Sequence, residues 1–429
     1  MDDLLKSYSD AIASLFARTT GGIKPGLERT EALLEQLGSP HKRLAAVHVA
    51  GTNGKGSVVA TSEALLRARG LRVGRYTSPH LVDFRERISV DGQPISEEEV
   101  LEFLQRWIPV AEDLGATFFE VTTALAFDWL ARQKVDIAVI ETGLGGRLDS
   151  TNVITPRVAV VTSIGLDHTD LLGRTLEAIA REKAGIFKRG VPAVVGEASP
   201  MIRDLLAEEA RQAGARPIVV LDSGYVVDKV RVSLDGTSFA LSNEAESREI
   251  TTPLIGQHQA RNTAIAIAAL AAIGEDFLPP SAETSAALSR VFLPGRFQQV
   301  GKFIFDVAHN PAGACTVAET LRLVNAPRPR TALIAVLADK DWRGIIRELS
   351  ADLDRFVFTD APSAPADRSW NAGEATAFAR SLGIDAHLVA DLDSAISAAE
   401  NGSGTVVVTG SFHTVGDVMS RLQVSPLAT

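Results

Sequence analysis

The stretch AAVHVAGTNGKGSVVATSEALLRARG, residues 45–70, decides the fold. An apolar run leads into Gly51, Thr52, Asn53, Gly54, Lys55, Gly56 and Ser57, and these lead into apolar positions at helical spacing. Strand, glycine loop and helix in that order build an anion site. The glycines let backbone N–H groups curl round a phosphate, the helix start adds the positive end of its dipole, and Lys55 supplies a point charge for the terminal phosphates of a nucleoside triphosphate. The loop departs from the common G-x-x-x-x-G-K-[ST] form. Val49 stands where the first glycine belongs, and Gly56 separates Lys55 from Ser57.

Outward from this loop, β-branched runs at 44–49, 135–141, 158–163 and 191–195 alternate with helical patterns at 57–69, 96–114, 121–133 and 175–184. Strands apolar on both faces, joined by crossover helices, predict an α/β fold with parallel pairing. Between 222 and 252 the texture changes to apolar–polar alternation around a turn at Asp235 and Gly236, which predicts a small antiparallel β patch appended to that sheet. An Ala-rich helix at 259–273 follows. Pro294 and Gly295, in LPGRF at 293–297, mark the expected boundary between an ATP-binding P-loop domain, 1–293, and a C-terminal Rossmann-like domain, 294–429. Strands of the second domain are expected at 303–307, 332–336, 355–359, 386–389 and 405–409.

Composition narrows the function classes. With 429 residues, 45% hydrophobic and 22% charged, the chain has the make-up of an ordinary globular protein of at least two domains. A formal net charge of −10 argues against general affinity for nucleic acid, so an anionic substrate has to be met by a local cationic site. The single cysteine, Cys315, forms no intramolecular disulfide and reads as a small buried hydrophobe in a reducing compartment. MDDLLKSYSD opens with acids rather than a basic patch and an apolar run, and no apolar stretch of roughly 18 residues is present. The expected location is the cytoplasm, away from membranes.

GTNGKGS resembles the phosphate loop of the Mur ligase superfamily, and within it that of the folylpolyglutamate synthase and dihydrofolate synthase family. Further segments resemble that family in the same order: TSPHL (77–81), ETGLGGRLDSTN (141–152), TSIGLDHTDLLG (162–173), EKAGIFK (182–188), GQHQARN (256–262), LPGRFQ (293–298), DVAHNP (306–311) and GSFHTVG (410–416). The resemblance implies a Mur-ligase-like ATPase domain followed by the Rossmann-like domain, and an ATP-dependent acid–amino acid ligase. Such an enzyme adds L-glutamate to dihydropteroate, to a reduced folate, or to both, through an acyl phosphate. A Mur-type ligase of cell-wall precursors and a non-catalytic nucleotide switch are the alternatives. The first would be expected to carry an additional N-terminal domain, and the second leaves DVAHNP without a task.

The resemblance also implies site residues. Ser78, Glu141 and His168 would hold Mg2+, and Lys183, carbamylated by CO2, would help hold a second Mg2+; a monovalent cation is a further expectation. Without the resemblance, Lys183 reads as an exposed helix lysine paired with Glu182 or Glu177. Asn262, Arg296 and Asp306 match positions that contact ATP, with a salt bridge in the hinge as the competing reading of Arg296. Ile23, Lys24, Pro25 and Gly26, with Phe118 or Phe119 and Asp149, match the pterin-holding places, although Lys24-Pro25 stands where the family often shows an acid and an aliphatic residue. His309, Ser411 and His413 are expected to bind glutamate, and His309 to assist removal of the amine proton, with a phosphate oxygen as the alternative acceptor of that proton. The partners are then ATP, glutamate and the folate-type acceptor, and the chain is expected to be a monomer.

Overall fold

A computed structural model describes residues 7–19, 26–244 and 246–427. Ile23, Lys24 and Pro25 lie outside the described residues. The first strands are β1 (Ala46–Ala50), β2 (Val73–Tyr76), β3 (Ile88–Val90), β4 (Gln93–Pro94), β5 (Ile137–Glu141), β6 (Val158–Val161), β7 (Ala193–Val195) and β8 (Ile218–Val220). They form one sheet in the order β4-β3-β2-β5-β1-β6-β7-β8, parallel except for the β2–β3 and β3–β4 pairs. All five residues of β1 are buried, as are those of β5, because helices cover both faces of the sheet.

The chain runs from β1 to β2 on one side, returns to β5 beside β1, then crosses to β6 on the other side. Loops after β1, β5 and β6 therefore open onto one crevice at the strand ends, where ligands bind in open α/β sheets. Helix Lys55–Ala68 starts directly at that crevice and buries Val58, Val59, Leu65 and Leu66 against the sheet.

Strands β9 (Val226–Ser233), β10 (Gly236–Ser242) and β11 (Ser247–Thr252) form a separate antiparallel sheet in the order β11-β10-β9. The patch is thus not an extension of the main sheet. Its buried residues Phe239, Leu241 and Ile250 share a core with the helix Gln257–Ile273, so packing rather than strand pairing attaches it. The remaining strands, β12 (Gln298–Val300), β13 (Phe303–Phe305), β14 (Arg330–Ile334), β15 (Arg355–Phe358), β16 (Asp385–Leu388) and β17 (Thr405–Thr409), form a six-stranded sheet. Its order is β12-β13-β17-β14-β15-β16, parallel except for β12–β13. Cys315 is exposed on helix Pro311–Leu323 rather than buried, because Ala314, Val317, Ala318 and Leu321 supply that helix's core face.

A titratable ring sits in the middle of β1. His48 is fully buried, its Nε2 lies 2.9 Å from the Thr151 hydroxyl, and burial lowers its pKa from 6.5 to about 3. The unfolded chain therefore binds a proton between those values that the folded chain refuses, and stability falls as pH drops below 6.5. The melting temperature is expected to decline from pH 6.5 toward pH 4, with a shallower decline in His48→Gln; thermal melts across that range check this.

Candidate active site

The phosphate loop is stitched to the segment after β6. The Thr52 backbone N–H donates to the Ser163 carbonyl at 2.7 Å. The Thr162 and Ser163 hydroxyls both donate to the Asn53 carbonyl, at 2.8 and 3.0 Å. This explains the glycine at 51, since a Cβ there would lie 1.8 Å from the Thr162 hydroxyl oxygen. Gly54 has φ +89°, and a Cβ on it would meet the Asn262 side-chain oxygen at 2.5 Å. Asn262, on helix Gln257–Ile273, is thus held against the loop, and its side-chain amide donates to Gln259 at 3.1 Å.

Two ammonium groups turn inward on this loop. Lys55 Nζ donates to the Gly51 and Thr52 carbonyls at 3.1 and 3.2 Å and lies 3.8 Å from Glu141. Lys183 is not an exposed helix lysine. It sits in the last turn of helix Leu176–Ala184, buried, with Nζ donating to the same Gly51 carbonyl at 2.9 Å. Burial, and then the Lys55 charge, lowers its pKa to about 7, so the free amine is present in quantity near neutral pH.

Glu141, the last residue of β5, is buried. Burial pushes its carboxyl upward against the pull of Lys55 and Arg296, and the Ser78 backbone N–H bonds to it. His168 begins helix Thr169–Leu172 with φ +49°, a left-handed conformation that aims the ring toward the cleft at some cost in backbone strain. Burial and then Lys340 lower its pKa to about 4, which leaves it the neutral imidazole a metal requires. Among the described residues no three His, Cys, Asp or Glu side chains form a ready metal cage. The chemistry of the donors nonetheless fits a hard cation, with Ser78 and Glu141 offering oxygen and His168 a neutral nitrogen. Protein ammonium groups stand against this set: Lys55 near Glu141, and Lys340 Nζ 3.5 Å from His168 Nε2.

The second sheet brings its own strand ends to the same place. Asp306 follows β13 and accepts from the Phe297 and Ala308 backbone N–H groups, both at 2.9 Å. Arg296 lies over the Phe412 ring at 5.3 Å, and burial lowers its pKa against the charges of Asp306 and Glu141. Asn310 caps helix Pro311–Leu323 and also donates to the Asn53 side chain at 3.3 Å, so the two domains meet at the phosphate loop.

His309, expected to assist removal of the amine proton, faces an acceptor oxygen from each ring nitrogen. Its Nδ1 lies 3.0 Å from the Val307 carbonyl and its Nε2 3.3 Å from Asp167 Oδ2. Ser411 is likewise occupied: its hydroxyl caps helix Phe412–Arg421, accepting from Thr414 N at 3.0 Å. His413 Nδ1 lies 3.0 Å from the Ser363 hydroxyl, away from the phosphate loop's own hydrogen bonds.

Of the two phenylalanines offered for the acceptor side, the structure treats each differently. Phe118 is 2% exposed, stacked on Phe16 at 5.0 Å between ring centroids with the Arg87 guanidinium 5.1 Å from its centre, and it is core rather than a platform. Phe119 instead packs against Gly143 at the crevice, because the first turn of helix Phe118–Arg132 points residue 118 inward. Asp149 is buried and accepts from Leu144 N at 2.8 Å and from Thr151 N at 3.0 Å, which fixes the turn before the segment Ser150–Val153. Gly26 has φ +125°.

Lys340 went unassigned in the sequence. It lies in ADKDW after β14, and its Nζ donates to Asp167 Oδ1 at 2.5 Å. The charge pair on either side of the lysine, Asp339 and Asp341 at a strand-to-helix turn, was the available signal.

Gly51→Ala is expected to abolish nucleotide binding and to cost about 1–3 kcal/mol of stability, since the new methyl overlaps Thr162. Calorimetric titration with an ATP analogue and a thermal melt check both.

Residues 49–270 match the family profile described as the Mur ligase middle domain, and 295–412 match the Mur ligase glutamate ligase domain. The dihydrofolate synthase/folylpolyglutamate synthase of Bacillus subtilis is 36% identical, covering 98% of this chain and 100% of that one. The protein of the same name from Escherichia coli is 37% identical, covering 97% of this chain and 94% of its own. The crystal structure of Thermotoga maritima folylpolyglutamate synthase matches with a TM-score of 0.84 and 34% identity, over 98% of each chain. E. coli FolC in complex with DHPP and ADP matches with a TM-score of 0.87 and 33% identity, over 97% of this chain and 98% of that one. A bifunctional folylpolyglutamate synthase/dihydrofolate synthase with Mn, AMPPNP and L-glutamate bound matches with a TM-score of 0.83 and 35% identity, over 97% of this chain and 98% of that one. The chain belongs to the dihydrofolate synthase/folylpolyglutamate synthase family of Mur ligases.

Proposed function

We propose that this protein is an ATP-dependent ligase that joins L-glutamate to dihydropteroate, to reduced folate, or to both. The observation that carries the reading is the meeting of Asn310, His309 and Lys340 from one domain with Asn53 and Asp167 from the other, at the phosphate loop. A nucleotide switch needs no second domain there. The relatives that span nearly the whole chain are named for folate rather than for cell-wall precursors.

A carboxylate does not react usefully with an amine at neutral pH, because oxide is too poor a leaving group. In the first step an acceptor carboxylate oxygen attacks the γ-phosphorus of ATP, the bond to the β–γ bridging oxygen breaks, and ADP leaves. Lys55 stabilises charge on the phosphate oxygens, and Arg296, Asn262 and Asp306 hold the nucleotide. Ser78, Glu141 and His168 would hold one Mg2+ and carbamylated Lys183 would help hold a second, and these ions would supply positive charge to the same oxygens. In the second step the glutamate nitrogen attacks the acyl carbon, the carbon–oxygen bond breaks, phosphate leaves, and the nitrogen loses a proton. A phosphate oxygen takes that proton, since His309 is engaged on both nitrogens. His309, held between the Val307 carbonyl and Asp167, keeps a fixed orientation in the cleft.

The stretch 293–297 is the hinge about which the domains, divided after residue 293, close to keep water from the acyl phosphate. The enzyme works as a cytoplasmic monomer, and Gly26, Phe119 and Asp149 line the acceptor end.

Mass spectrometry after incubation with ATP, Mg2+, glutamate and either dihydropteroate or a reduced folate tests the assignment. One added glutamate on either acceptor supports it, and the acceptor that reacts decides which activity is present. No added glutamate on either overturns it. Lys183→Ala is expected to lower turnover on the order of a hundredfold or more, and to lose the carbamate carbon signal that wild type gives with isotope-labelled bicarbonate. Because the amine titrates near pH 7, that signal is expected to grow as pH rises through 7.

A further inference from the structure

Asp167 is a carboxylate of the first domain that meets two groups of the second. Lys340 Nζ holds Oδ1 at 2.5 Å, and His309 Nε2 faces Oδ2 at 3.3 Å. Lys340 is 8% and Asp167 10% exposed at the side chain, so both charges are largely withdrawn from water. Withdrawing a charge pair from water is costly unless its geometry is good. Here the geometry is good because the turn carrying Lys340 is fixed inside its own domain. Asp339 accepts two hydrogen bonds from Arg368, at 2.9 and 2.8 Å. Asp341 caps helix Trp342–Leu349 through Gly344 N at 2.9 Å. The Lys340 backbone is tied on both sides, its N–H to the Leu337 carbonyl at 3.0 Å and its carbonyl to Trp342 N at 2.8 Å. Both flanking aspartates are thus spent on rigidity, and the lysine between them reaches the other domain.

The groups expected to hold the nucleotide are fixed by other partners: Asn262 by Gln259, Arg296 over Phe412, Asp306 by two backbone N–H groups. None of these hydrogen bonds or ring contacts involves Lys340 or Asp167.

We propose that Lys340 is a positioning residue that ties the closed domains together through Asp167. It thereby sets His309 and the loop before His168, so the attack of glutamate, rather than the binding of ATP, depends on it. The inference rests on the ligase reading for its kinetic part and on geometry alone for the tie.

The test compares full-length wild type with Lys340→Met, Lys340→Arg, Asp167→Asn and the Lys340→Met/Asp167→Asn double variant. Amide formation from ATP, glutamate and either dihydropteroate or a reduced folate, whichever wild type extends, gives kcat and each KM. Small-angle scattering with a non-hydrolysable ATP analogue gives the radius of gyration. Lys340→Met is expected to slow amide formation about tenfold or more and to raise the glutamate KM, with the ATP KM within about twofold of wild type. Lys340→Arg is expected to recover part of the loss, and the double variant to be no slower than Asp167→Asn. The wild type is expected to be more compact with the analogue than Lys340→Met. The proposal is overturned if Lys340→Met matches wild type in rate, if both KM values rise together, if the double variant shows additive losses, or if the radii are equal. If wild type forms no amide at all, the ligase reading falls, and the scattering comparison still decides the tie.

Discussion

Two ammonium groups share one carbonyl oxygen. Lys55 and Lys183 both donate to Gly51 O, and Gly51 is in turn pressed against Thr162 so closely that no side chain fits. The loop, the end of β6 and the last turn of helix Leu176–Ala184 are therefore locked to one another by a single peptide unit. Burial, and then the like charge of Lys55, draws Lys183 down toward neutrality. A phosphate arriving in the loop meets donors already in place rather than donors it has to gather, and less reorganisation is left for the reaction itself.

The charge of the molecule is distributed accordingly. A chain with formal charge −10 gathers Lys55, Lys183, Lys340 and Arg296 at the ends of two parallel sheets. Each of these cations meets protein oxygen or an aromatic face within its own surroundings. Lys55, Lys340 and Arg296 stand beside the Glu141, Asp167 and Asp306 carboxylates, so the cleft is built from opposed charges. Burial does the rest, since the same charges in water would be largely screened.

What the sequence disclosed follows from distance along the chain. The phosphate loop was legible because its strand, glycines, lysine and helix are contiguous, and each residue's task is local. The parallel strands were legible because burial on both faces leaves unbroken β-branched runs. Val73–Tyr76 was missed, since four residues including Gly74 and Arg75 carry no such run; Arg75 is accommodated by pairing with Glu63 on the neighbouring helix at 2.9 Å. Phe118 and Phe119 could not be told apart, because which neighbour faces the core depends on the phase at which the helix begins. Lys340 and Asp167 are 173 positions apart, and nothing local announces that they meet. The separate three-stranded sheet shows the same limit: alternation revealed the strands, but attachment through the helix Gln257–Ile273 is a matter of packing.

The exposed cysteine has a practical meaning of its own. Cys315 is the sequence's one thiol, and it stands on the outer face of the helix that begins just after His309 and Asn310. Slight burial and the Glu348 carboxylate raise its pKa, and its exposure leaves the thiol reachable by a label. A probe fixed there would ride rigidly with the second domain, on the side of the helix turned away from the core. The molecule thus carries one native attachment point, in the half expected to move, from which its opening and closing can be watched one particle at a time.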